Sequence, residues 1–99
     1  MKVTWSPRAR CELRAQRRFI APEQPAAARR IAARVVAAAD RLEDYPYLGR
    51  IAAWDVRNPF RELPVGPTPF VVVYALDDER KEVVIISLVH GAQERSAIE

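Results

Sequence analysis

Three apolar runs crowd the last forty residues, and they constrain the fold more than any other feature of the chain. RELPVG (61–66), TPFVVVYAL (68–76) and EVVIISLVHGAQ (82–93) follow one another with only turn sequences between them. Runs this rich in β-branched residues, this closely spaced, predict a meander of antiparallel strands over 60–65, 70–76 and 82–89. Gly66-Pro67 makes the first turn, and Asp77-Asp78-Glu79-Arg80 the second. Val71-Val72-Val73 and Val83-Val84-Ile85-Ile86 do not alternate with polar residues, so these strands are central and largely covered.

The cover must come from the first half of the chain. Lys2 to Trp5 predicts a short strand. Ser6-Pro7 then opens a helix, the serine as N-cap and the proline where no amide partner is lost. Ala9, Leu13, Gln16 and Ile20 keep one moderately apolar face to about residue 20, and Ala21-Pro22 ends the helix. A second helix is expected over 25–43, with Ala28, Ile31, Ala32, Val35, Val36, Ala39 and Leu42 on its inner stripe. The short link between them makes an antiparallel helical hairpin, the one element able to cover the strands. Residues 44–59 carry Tyr45-Pro46, Gly49-Arg50 and Asn58-Pro59, so they read as irregular chain, with Trp54 capping the core or anchoring a partner. The expectation is one α+β domain over 1–99: strand, helix, helix, three strands, with the hairpin packed on an antiparallel-rich twisted sheet.

Ninety-nine residues suit one core and no second domain. No apolar run approaches the roughly 20 residues that cross a bilayer, and the amino terminus does not read as a signal peptide. A single cysteine, Cys11, excludes an internal disulfide or a zinc cage and suits a reducing cytoplasm; it reads as a small, buried or half-buried apolar side chain. No metal or other cofactor is implied. Charge is divided unevenly: residues 1–50 hold eleven Lys/Arg against five Asp/Glu, and residues 51–99 hold five against eight. Arg29, Arg30, Arg34 and Arg41 lie off the second helix's apolar stripe, on a basic face that is either solvated surface or a site for an acidic partner.

The order of elements and six local motifs resemble the ParE branch of the RelE/ParE toxin superfamily over nearly the whole chain. The motifs are Trp5-Ser6-Pro7-Arg8-Ala9 and Pro25-Ala26-Ala27-Ala28-Arg29, then Leu42, Pro46 and Gly49-Arg50, then Arg61-Glu62-Leu63. Thr68-Pro69-Phe70-Val71-Val72-Val73-Tyr74 and Val89-His90-Gly91-Ala92-Gln93 complete the set. The resemblance implies a small bacterial toxin encoded beside a ParD-like antitoxin that wraps it. ParE-like members poison DNA gyrase; RelE-like members are ribosome-dependent messenger RNA endonucleases. Membrane association is not implied, nor is specific nucleic-acid binding except through the antitoxin complex.

RNA cleavage through a cyclic phosphate needs a base for the 2′-hydroxyl, an acid for the leaving oxygen and cations on the phosphorane. Arg61 and His90, the sole histidine, match that need in kind. The three predicted strands otherwise carry no lysine or arginine, and no tyrosine follows His90. His90 has a second reading as a strand-end structural residue before Gly91, Arg61 as an ion pair or carbonyl clamp in the sheet, and Tyr74 reads as core. The gyrase reading needs no acid–base pair, only a binding surface; Arg61, His90, Gln93 and Arg95 are its candidate target contacts. Arg14, Arg18, Arg34, Arg41 and Trp54 are the candidate contacts to the antitoxin. A degenerate member that keeps only antitoxin binding is the remaining alternative.

Overall fold

In a computed structural model the chain is described over residues 1–20, 24–52 and 60–91, the side chains of 17–20 excepted. The first strand, β1 (Lys2–Trp5), runs directly into helix α1 (Pro7–Ile20). Ser6 makes that junction. Its hydroxyl accepts the Ala9 amide at 3.0 Å as an N-cap and donates to the Ile86 carbonyl at 2.9 Å. One side chain thus starts the helix and ties it to the last strand.

Helix α2 (Pro25–Asp40) follows, and the chain then tightens into a 3₁₀ turn at Arg41–Glu43. The helical segment therefore ends where the stripe predicted, with its last turn overwound around the buried Leu42. Ala28, Val35 and Ala39 form the buried stripe, whereas Val36, expected on it, is 38% exposed at its border. Cys11, expected to be at least half-buried, is exposed. It lies two residues from Ala9 and Leu13, about 200° around the helix from each, so it faces away from the sheet.

A short strand β2 (Arg50–Ile51) precedes the meander of β3 (Arg61–Pro64), β4 (Phe70–Asp77) and β5 (Glu82–His90). The sheet order is β1-β5-β4-β3-β2; β1 pairs with β5 in parallel and every other pair is antiparallel. Strand β2 lies within the stretch expected to be irregular. Only two residues pair, Arg50 with Glu62 and Ile51 with Arg61, too few to leave a periodic signal.

The alternation along β4 divides the core between the sheet's two faces. Val72, Tyr74 and Phe70 join Ile85, Leu88, Val35, Ala39 and Leu42 on the helix side. Val71, Val73 and Val89 cluster on the other, with Phe60 and Ile86 beside them. Strand β5 is interrupted once: Val73 faces Ser87 but Tyr74 faces Ile85, so Ile86 is an extra, bulged residue. Helix α1 meets the polar groups of the bulge. One carboxylate oxygen of Glu12 accepts the Ser87 hydroxyl at 2.7 Å and the Leu88 amide at 3.2 Å. Among the described residues no helix is long and apolar enough to cross a membrane.

Candidate functional site

Arg61, Tyr74 and the turn 46–49 are joined by a cluster of side-chain bonds. Tyr74 is paired with Arg61 across β3 and β4 and is fully buried. Its hydroxyl donates to the Pro46 carbonyl at 2.9 Å and accepts the Gly49 amide at 2.8 Å. Burial raises the pKa of that hydroxyl above 10.0, against the lowering effects of the Gly49 amide and of the Arg61 charge. The Arg61 guanidinium donates to the Gly49 carbonyl at 2.7 Å and stacks over the Tyr47 ring at 4.9 Å. Gly49 is required by proximity: a Cβ there would stand 2.7 Å from Tyr74 Cε1 and 2.8 Å from the Glu62 carbonyl oxygen.

The neighbouring pair is Arg50 and Glu62, one from each of the strands β2 and β3. Arg50 Nε lies 3.5 Å from a Glu62 carboxylate oxygen, and the Glu62 side chain is only 5% exposed while that of Arg50 is 69% exposed. This pair leaves no local signature, because it depends on β2, a strand too short to read from its residues. Around the turn, Tyr45, Tyr47, Leu48 and Ile51 are all exposed.

His90 is elsewhere. It pairs with Phe70 at the opposite end of β4 and meets the Phe70 ring edge-on, with centroids 6.1 Å apart and planes at 79°. Phe70 and Tyr74 are four residues apart, about 13 Å along a strand, and Arg61 and His90 lie on different neighbours of β4. The two residues that matched a nuclease in kind are therefore not brought together. Strands β4 and β5 contribute no lysine or arginine, so no cation stands between them on the sheet.

The arginines proposed for the antitoxin divide between two grooves beside the helical hairpin. Arg14 lines one of about 570 Å³ with Lys2, Val3, Thr4, Trp5, Arg10, Leu13 and Val36. Arg34 and Arg41 line another of about 240 Å³, with Ala37 and Ala38 on the helix and Leu63 to Gly66 on the strand side. Reading the sequence missed Lys2, Trp5 and Arg10 as groove residues; a strand edge beside a helix face leaves no local signature. Trp54, Gln93, Arg95 and the Arg18 side chain lie outside the described residues.

Known proteins sharpen this description. Residues 3–95 match the family model of the ParE toxin of type II toxin–antitoxin system, parDE. The chain is 40% identical to Toxin RelE2 of Caulobacter vibrioides over 85 residues, which cover 86% of this chain and 91% of the relative. Among solved structures it resembles a chain of the chromosomal ParDE toxin–antitoxin system from P. aeruginosa. The TM-score is 0.77 at 20% identity, over 91% of this chain and 95% of the other. A chain of the RelBE2 toxin–antitoxin complex from Mycobacterium tuberculosis matches at TM-score 0.68 and 24% identity, over 90% and 95%. At those identities the two structures establish the shared fold.

Proposed function

The chain belongs to the ParE toxin family of type II toxin–antitoxin systems, and from that premise we propose that it acts by binding and stalling DNA gyrase, neutralised by a cognate antitoxin. One observation carries the choice of target. Arg61, the strand cation that cleavage would use, is committed to the Gly49 carbonyl and the Tyr47 ring and is separated along the sheet from His90. A phosphorane intermediate needs charge converging within hydrogen-bond reach of one phosphate, and this arrangement disperses it. Stalling a large enzyme asks instead for a rigid contact surface. Arg61, His90, Gln93 and Arg95 are the proposed contacts to that target, and Arg14, Arg18, Arg34, Arg41 and Trp54 those to the antitoxin.

The name of the Caulobacter relative favours a second reading, ribosome-dependent cleavage of messenger RNA. Inducing the chain without antitoxin separates the two. Gyrase stalling predicts growth arrest with SOS induction and gyrase trapped on cleaved DNA. Messenger RNA cut in the ribosomal A site, without SOS induction, would replace the first reading by the second. Absence of arrest would leave antitoxin binding as the retained activity.

A further inference from the structure

Among the described residues five large apolar side chains are exposed, and four of them, Tyr45, Tyr47, Leu48 and Ile51, fall within one short stretch. Residues 45–48 make a tight turn. The Leu48 amide donates to the Tyr45 carbonyl at 3.1 Å, and Pro46 stands at the second position, where its fixed φ suits the bend. Strand pairing joins Ile51 to this turn. Ile51 lies opposite Arg61 across β2 and β3, so the two side chains share a face of the sheet, and the Tyr47 ring lies over that same Arg61.

The turn is braced from beneath. The Tyr74 hydroxyl holds the Pro46 carbonyl and the Gly49 amide, Arg61 holds the Gly49 carbonyl, and the Tyr45 amide donates to the Arg41 carbonyl at 3.0 Å. Main-chain groups are thus engaged inward while large apolar side chains face out. Single exposed apolar residues need no explanation, but a contiguous group marks an interaction site, and a fixed turn loses little freedom on binding. Charge narrows the occupant. Glu43 and Asp44, leading into the turn, are exposed and have no ion-pair partner among the described residues. The nearby cations are turned elsewhere: Arg41 lines the groove with Arg34, Arg50 pairs with Glu62, and Arg61 lies beneath Tyr47. Two open carboxylates disfavour a phosphate backbone and an acidic antitoxin alike, and favour a protein surface rimmed with cations. An enzyme that grips DNA carries such cations.

We propose that the turn 45–48, with Ile51 beside it, is the anchor by which the chain docks on gyrase. Its tyrosines, Leu48 and Ile51 fill an apolar cleft in the protein, and Glu43 and Asp44 meet lysines or arginines at the rim of that cleft. Tyr74 and Arg61 hold the anchor in place from below. The inference rests on the gyrase reading and adds to it a contact surface and the chemistry of the surface it meets.

Binding to purified gyrase on plasmid DNA tests it, with binding to the antitoxin measured in parallel. Tyr45→Ser/Leu48→Ser, both exposed positions, should bind gyrase about tenfold or more weakly and the antitoxin within about twofold of wild type. Tyr45→Phe keeps the ring and should bind gyrase nearly as wild type does. Asp44→Lys should associate with gyrase about threefold more slowly, and no more slowly with an acidic antitoxin. Wild-type binding to gyrase that the double variant matches overturns the anchor and leaves the gyrase reading intact. Loss of antitoxin affinity alone assigns the patch to the antitoxin and overturns the anchor too. If the double variant loses both affinities, the sign of the Asp44→Lys effect decides: slower association with gyrase supports the anchor, and faster association overturns it. Failure of the wild-type chain to bind gyrase overturns both.

Discussion

The Tyr74 hydroxyl holds together two pieces of chain that are far apart in sequence. Its partners Pro46 and Gly49 are 28 and 25 residues away, which is why an apolar run could show that Tyr74 is core and not what its oxygen does. Tyr74→Phe leaves the buried Gly49 amide without its partner and should cost about 1–3 kcal/mol in urea unfolding. The pH dependence has a definite sign. Folding raises this pKa above 10.0, so the folded chain holds the proton more tightly than the unfolded one. That contribution is fully present below pH 10.0 and is lost as pH rises through the folded value. Above pH 10.0 the wild-type chain should therefore lose stability more steeply than Tyr74→Phe, a comparison that cancels the effect of the other tyrosines and lysines. Gly49→Ala sets a methyl against a ring and a backbone carbonyl at once. It should destabilise by about 1–3 kcal/mol, with the loss measured by thermal unfolding. Gly49 was legible as a turn signal; its close approach to Tyr74 belongs to tertiary structure.

The elements that could be read were those whose causes are local. Ser6-Pro7 marks the start of α1, the Ala28–Val35–Ala39 stripe orients α2, and the β-branched runs give β3, β4 and β5 to within a residue or so. Strand β2 and the bulge at Ile86 could not be read, because each depends on what lies across from it. The bulge makes a specific demand on α1: Glu12 must reach Ser87 and Leu88. Glu12→Ala should cost about 1–3 kcal/mol by leaving a buried hydroxyl and an amide unpaired. Glu12→Gln keeps a carbonyl acceptor and should lose clearly less in the same thermal melts. Equal losses from the two variants would show that the Arg8 ion pair, 3.6 Å away, matters more than the bulge.

At the scale of the molecule, charge is concentrated on the half that forms the helical hairpin and β1, and it lines two grooves there. Association with an acidic antitoxin should accordingly slow steeply with added salt; a flat response in stopped-flow mixing would remove electrostatics from the recognition. The sheet divides in the opposite sense. Its cations are few, and Arg61 is engaged in holding the turn 46–49 while His90 stands at the far end of β4. Sequence alone suggested the pair by residue type and could not show their separation. The claim that this toxin works by contact is tested most directly on purified gyrase and relaxed plasmid DNA. Adding the chain should accumulate covalent gyrase–DNA complexes, and the antitoxin should abolish them. Gyrase that supercoils normally in its presence, while messenger RNA is cut on ribosomes and His90→Ala stops the cutting, would contradict the account.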